Sequence, residues 1–370
     1  MIKPLTDLTA SDLSGKRVLL RLDLNVPIEN GQITDDFRIV KNLPTIQWLV
    51  GKGSRVVIIA HLGQADASLQ PVAEYLQKSF PVIFAKTIEE AAATTGEQVV
   101  LLENLRQWEG EESNSAEFAR ELATLGEIYV NDAFSASHRE HASIVGVPTL
   151  LPSYAGPVFR QEIQHLSALF TPTQPLLVII GGAKFSTKLP LVERFLPLAE
   201  HIVIAGALAH PLYRALGYEI GHSLIDEQEN TPEIAALAPN PKVIVPQEVV
   251  VKTGAGDMVT RAAGVVEPGD TILDAAPATL TDLAGFIAEA KTILWNGPVG
   301  NYEHGYTAGT EALAKLIAGS GAETVVGGGD TIAAIAKLGL FNKFTFVSTA
   351  GGAMLDYLAT GTLPGIEALR

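Results

Sequence analysis

The chain carries short runs rich in consecutive Val, Ile and Leu at 17–22, 55–60, 98–102 and 127–131, and again at 176–180, 201–205, 242–245, 292–295, 323–326 and 345–348. A strand wetted on one face alternates apolar with polar positions. One covered on both faces is apolar throughout, so these runs predict parallel strands sandwiched between helices. Longer stretches between them repeat apolar residues at helical spacing, and the alternation predicts an α/β fold of two doubly wound parallel-sheet, Rossmann-like domains.

Between Gly156 and Phe170, Val158, Phe159, Ile163, Leu166 and Leu169 recur at helical spacing, and Thr171-Pro172-Thr173-Gln174-Pro175 ends the element. This stretch predicts a linking helix and hinge over 157–172, between a first domain over 1–156 and a second over 173–352. The length of 370 residues agrees with two domains, because one hydrophobic core rarely serves more than about 250–300 residues.

Composition narrows the classes of function. A hydrophobic content of 47% with 18% charged residues describes a packed chain, not a disordered one. The net charge of -15 argues against nonspecific nucleic-acid binding and against an anionic membrane surface, both of which reward clustered Lys and Arg. It leaves room for a local group of Arg that holds a small anion. The absence of cysteine excludes disulfides, thiolate metal ligands and a Cys nucleophile. No window has the length of a membrane helix and positions 1–10 lack the apolar core of a signal peptide, so a cytoplasmic protein is expected.

In an open parallel sheet, ligands gather at the carboxyl ends of the strands. In the first half those positions hold Asp23 and Asn25; His61 and Gly63; Glu103 to Arg106; and Asn131, Asp132, His138, Arg139 and His141, with Arg38 near the first group. Any one of them alone reads equally well as a helix cap or a solvated surface residue. Arg and His arriving from several strand ends predict an anion pocket on one rim. The pair His138 and His141 shows no third ligand at a recognisable spacing, which favours a structural or anion-binding role over a metal site.

The second half supplies glycine. Backbone approaches a phosphate closely only where side chains are absent. Trp295-Asn296-Gly297-Pro298-Val299-Gly300 and Gly327-Gly328-Gly329-Asp330-Thr331 offer such places, the latter between an apolar run and a helix-like run at 332–337. Gly181-Gly182-Ala183-Lys184 follows the run at 176–180 directly. Lys188 lies four residues on, one turn along the same face if the segment is helical, and two ammonium groups there suit a polyphosphate. A solvated lysine pair is the plain alternative.

Taken in order, Arg21-Leu22-Asp23-Leu24-Asn25-Val26-Pro27, His61-Leu62-Gly63, Leu102-Glu103-Asn104-Leu105-Arg106, Val130-Asn131-Asp132-Ala133-Phe134 with His138-Arg139-Glu140-His141-Ala142, Gly181-Gly182-Ala183-Lys184, Trp295-Asn296-Gly297-Pro298, Gly327 to Thr331, Ser348-Thr349-Ala350-Gly351-Gly352-Ala353 and Leu363-Pro364-Gly365 resemble the phosphoglycerate kinase family from end to end. The resemblance implies a glycolytic, cytoplasmic, monomeric transferase that moves a phosphoryl group reversibly between 1,3-bisphosphoglycerate and ADP, giving 3-phosphoglycerate and ATP, with Mg²⁺. It implies that Asp23 and Asn25 orient the triose acid, and that Arg38, His61, Gly63, Gln64, Arg106 and Arg139 bind it. Lys184, Lys188, Gly206, Asn296, Pro298, Gly328, Gly329 and Thr331 would hold the nucleotide, Glu303 its ribose, and Asp330 its Mg²⁺. Arg38, Lys184 and the backbone at Gly329 and Gly351 would act on the transferred group. The tail, 353–370, would return to the first domain.

The chain departs from that family pattern at Gln64, where an Arg is usual, at Ala207, Ala276 and Ala350, where Gly is usual, and at Gln247-Glu248 after Pro246. Those changes keep open a binding protein of the same descent that holds a phosphorylated acid or nucleotide without turnover. A nucleotide-dependent oxidoreductase, suggested by two α/β domains alone, lacks a Gly-x-Gly-x-x-Gly turn after the first strand, and Gly254-Ala255-Gly256 matches only in part.

Overall fold

The first unit contributes β1 (Arg17–Arg21), a short antiparallel hairpin of β2 (Ile28–Glu29) and β3 (Gln32–Ile33), then β4 (Arg55–Ile59), β5 (Val82–Ala85), β6 (Val99–Leu102), β7 (Ile128–Asn131) and β8 (Ser153–Ala155). This is a computed structural model, describing residues 2–96, 99–225 and 231–370. Its chain divides into Met1–Gln164 with Thr360–Arg370, and His165–Ala359. The first sheet is parallel in the order β5-β6-β4-β1-β7-β8. β1 lies at its centre with Arg21 level with Ile59 on one side and Asn131 on the other, so the segments that leave these three strands emerge side by side.

The second unit repeats the principle. Strands β9 (Leu176–Ile180), β10 (His201–Ile204) and β11 (Val243–Ile244) run outward from the centre; the chain returns to β15 (Thr292–Asn296), β16 (Glu323–Gly327) and β17 (Phe346–Val347) on the other side. The order β11-β10-β9-β15-β16-β17 reverses direction between β9 and β15, which is where a doubly wound sheet opens a ligand crevice. Between the halves of that sheet the chain inserts an antiparallel sheet, β13-β12-β14, from β12 (Glu248–Lys252), β13 (Met258–Ala262) and β14 (Thr271–Ala275).

Strands buried on both faces match the apolar runs: β9 and β15 are buried at every position. The strands absent from the sequence reading are those with a wet side. β5 and β8 are sheet edges, and β13 alternates partly buried with exposed residues. Position 98, expected to open a strand, lies outside the described residues. The helix expected over 157–172 spans Pro157–Ala168, and the division between units falls inside it. The buried Asp132 carboxylate accepts the Phe159 N–H at 2.8 Å, satisfying a free donor at that helix's start, and accepts the Thr45 hydroxyl at 2.6 Å. The first unit resumes at Thr360, with the helix Pro364–Glu367 tied to it by Gly365 N–H donating to Ser137 O at 2.9 Å.

Candidate active site

At the carboxyl ends of β1, β4 and β7, side chains interlock. The helix Phe37–Gly51 brings Arg38 to Asp23, with its Nη1 at 3.1 Å from Oδ1 and 3.0 Å from Oδ2, and on to the Asn25 carbonyl at 3.3 Å. Asn25 Oδ1 accepts from Gly63 N at 3.0 Å, and Arg106 donates to the Gly63 carbonyl. Asn104 closes the same loop: its Oδ1 accepts from Leu62 N at 3.0 Å and its Nδ2 donates to the carbonyls of Gln64 at 2.8 Å and Ala67 at 3.0 Å. The Gln64 side chain takes no part in that clasp and is exposed.

Arg21 opens one of the motifs that carry the family resemblance but received no role from the sequence, because it sits inside a strand and nothing in a run of apolar neighbours marks it as functional. It is fully buried, donating to Ser143 Oγ at 2.9 Å, to Leu22 O at 2.6 Å and to His61 Nδ1 at 3.0 Å. Ser143 in turn donates from its hydroxyl and its N–H to the buried Glu111, at 2.5 and 2.9 Å. Since a guanidinium only donates, the His61 proton sits on Nε2. Burial first, then the charges of Arg21, Arg106, Arg139 and His141, push the His61 pKa far down and keep the ring neutral. His141 is lowered to about 4 by burial and Arg139. Arg21, Arg106 and Arg139 thus act on both histidines. Arg139 Nε approaches His138 Nε2 at 3.3 Å, and among the described residues no cluster of three or more His, Cys, Asp or Glu could hold a metal ion.

In the second unit the site is made of backbone. Register places Ile180, Asn296 and Gly327 level, so Gly181, Gly297 and Gly328 leave the sheet together. A Cβ at Gly181 would lie 2.0 Å from the Pro298 carbonyl oxygen, one at Gly297 2.2 Å from Gly181 O, and one at Gly206 3.0 Å from Gly182 O. Gly297 and Gly328 have φ of +95° and +100°, which L side chains rarely adopt. Gly297 N–H donates to Thr331 Oγ1 at 3.1 Å, pinning the loop to the helix Gly329–Lys337. Gly329 heads that helix with open space at its Cα, and Gly351, with φ of +56° and equally open, precedes the helix Gly352–Thr360. Both present unencumbered backbone at helix starts.

The segment 181–188 is not helical. The helix begins at Leu189, with Lys188 as its N-cap and Pro190 in its first turn, so Lys184 and Lys188 are not stacked one turn apart. Gly182, at φ of +112°, bends the chain before Lys184 instead, and Lys184 is exposed. Lys188 donates to Asn296 Oδ1, and burial lowers its pKa to about 8.

A cavity of about 310 Å³ lies beside these glycines, lined among others by Gly206, Pro298, Glu303, Asp330, Tyr213 and Val249. The Asp330 carboxyl is raised by burial and then by Glu303, and neither acid is ion-paired among the described residues. A half-buried carboxylate with no ion-pair partner among those residues, as at Asp330, is of the oxygen-donor type that suits a divalent cation. The altered positions prove benign in conformation: Ala207 belongs to a 3-10 turn, and Ala207, Ala276 and Ala350 all avoid positive φ, while Gly206 and Gly351 keep it.

A cationic rim on one Rossmann-like sheet and a glycine-built crevice on another are the parts that a two-substrate phosphotransferase combines. The family described as PGK: Phosphoglycerate kinase matches residues 6–361, and the chain belongs to it. It is 40% identical to a phosphoglycerate kinase of Orientia tsutsugamushi (strain Ikeda), covering 100% of this chain and 97% of the relative. Identity is 39% to that of Dictyoglomus turgidum, over 100% and 99%. Among solved structures, the phosphoglycerate kinase from Coxiella burnetii superposes with a TM-score of 0.85 at 36% identity over 100% and 99%. The enzyme from Pyrococcus horikoshii gives 0.87 at 28% over 100% and 98%.

Proposed function

We infer that the chain catalyses reversible phosphoryl transfer between 1,3-bisphosphoglycerate and ADP, giving 3-phosphoglycerate and ATP. The observation that carries this reading is the state of the first rim's carboxylates: Asp23 is engaged by Arg38 and Glu111 by Ser143. No free base is needed there, because the acceptor is itself a carboxylate, ionised at neutral pH with a pKa near about 3.5. What transfer requires is alignment and neutralisation of charge.

Arg38, His61, Arg106 and Arg139 bind the triose acid, with His61 offering Nε2–H and Asn25 shaping the loop around Gly63. Gln64 contributes its backbone to the loop. In the second unit Lys188, Asn296, Pro298, Gly206, Gly328, Gly329 and Thr331 cradle the nucleotide and Glu303 takes its ribose. Asp330 would hold Mg²⁺, which would supply positive charge against the phosphates. Lys184, Arg38 and the backbone at Gly329 and Gly351 stabilise the group in flight. Reacting atoms must come within about 3–3.5 Å with water excluded, so hinge motion at the helix Pro157–Ala168 belongs to the cycle. The enzyme acts on small molecules, in the cytoplasm, as a monomer.

The test is ATP-dependent consumption of 3-phosphoglycerate with Mg²⁺ in a coupled assay. Arg38→Ala should lower kcat by about 10²–10³, the loss typical of one removed charge-stabilising donor. A parent that binds both ligands without turnover would sink the kinase reading and leave a binding protein in its place.

A further inference from the structure

The nucleotide cavity is chemically two-ended. Gly206 leaves backbone open to a phosphate, Glu303 can accept from ribose hydroxyls and Asp330 can meet a phosphate-borne cation, whereas Tyr213, Leu224, Pro246, Val249 and Ile272 make an apolar wall on which a planar base can lie. The Tyr213 hydroxyl is spent on the Pro246 carbonyl at 2.6 Å. His210 also lines this cavity, and it is 3% exposed.

His210 Nδ1 lies 2.6 Å from the Leu224 carbonyl oxygen. A carbonyl only accepts, so the proton sits on Nδ1, the reverse of His61. Burial lowers the His210 pKa and favours the neutral ring. Nε2 is therefore a bare acceptor. It makes no hydrogen bond among the described residues, and His210 is one of the residues that line the cavity.

We propose that His210 reads the base: its Nε2 accepts a hydrogen bond from the exocyclic amine of a 6-aminopurine, and the site discriminates against purines that lack the amine. The inference rests on the nucleotide-binding reading above and adds the base that the cavity selects. A buried acceptor left unpaired opposite an amine-free purine loses the bond and stays desolvated, which is the physical source of the preference.

Calorimetry of ADP against purine riboside 5′-diphosphate, with Mg²⁺, tests it on the parent protein, His210→Leu and His210→Gln. One net hydrogen bond predicts that the parent binds ADP about tenfold tighter. His210→Leu should bring the ratio to about one by weakening ADP, and His210→Gln, which keeps an acceptor, should restore part of it. A parent ratio below about twofold overturns the proposal whatever the variants do, and so does an unchanged ratio in folded His210→Leu. Neither diphosphate binding would overturn it together with the nucleotide site. Because the readout is binding, a protein that selects ADP but never turns over contradicts the kinase reading alone.

Discussion

The two rims proposed to hold anions are built in opposite ways. The first is written in side chains: Arg38 paired with Asp23, Arg21 bonded to Ser143 and His61, Arg106 to the Gly63 carbonyl, and Arg139 beside His138. The second is written in backbone, with Gly181, Gly206 and Gly297 touching the neighbouring main chain and Gly328 turned by its positive φ. A side-chain site can lose a member that only adds to the shared charge, as at position 64, and keep its architecture. A backbone site has no such redundancy, since one Cβ pushes whole strands apart. The chain's own departures follow that division. Gln64 removes a cation from the first rim, while the alanines of the second fall only where φ is ordinary.

The sharpest way to break this contrast is Gly181→Ala. Its Cβ would meet the Pro298 carbonyl at 2.0 Å, backbone against backbone. It should destabilise the protein by about 3 kcal/mol and abolish nucleotide binding. A thermal midpoint within about 2 °C of the parent would show the crevice to be pliable.

Lys188 gives a pH signature to the second rim alone. Its folded pKa is depressed to about 8, so the free protein loses this charge as pH rises through 8. Phosphate favours the ammonium form, so ADP affinity should fall above that pH, by up to about tenfold per unit, with proton uptake on binding near pH 8. Lys188→Arg, always charged, should flatten the profile. Calorimetry in buffers of different ionisation enthalpy measures both.

A smaller gain is expected from Gln64→Arg. The loop is held by the Gln64 carbonyl, which the exchange preserves. Affinity for 3-phosphoglycerate should rise about tenfold, and less at high salt. Smallest of all, Ala207→Gly should change ADP affinity by no more than about twofold, at a stability loss below about 1 kcal/mol. A large gain there would mean that the methyl group, not the backbone, limits the crevice.

Legibility followed burial and charge. Strands apolar on both faces were visible at once, as at 176–180, and so were the exposed and partly buried cations that follow strand ends. Edge strands such as Val82–Ala85 and the alternating Met258–Ala262 were not, because a wet face erases the consecutive pattern. Arg21 and His210 stayed hidden for a related reason. A lone polar residue among apolar neighbours carries no spacing signal, and its role comes from partners such as Ser143 and Leu224 that are distant in the chain. The lysines illustrate the limit from the other side: a four-residue spacing has meaning only inside a helix, and the helix begins at Leu189.

Local chemistry therefore dictated the kind of strand, the glycine turns, the supply of cations and the family. Those follow from covalent facts that each residue carries alone: apolar surface, a missing Cβ, a fixed charge. Which histidine tautomer is populated, which carboxylate is paired and which alanine keeps an ordinary φ were settled by packing. Hydrogen-bond direction, burial and backbone dihedrals are properties of neighbours brought together by the sheet, and Arg21, His61 and Ser143 meet only once β1, β4 and β7 are side by side.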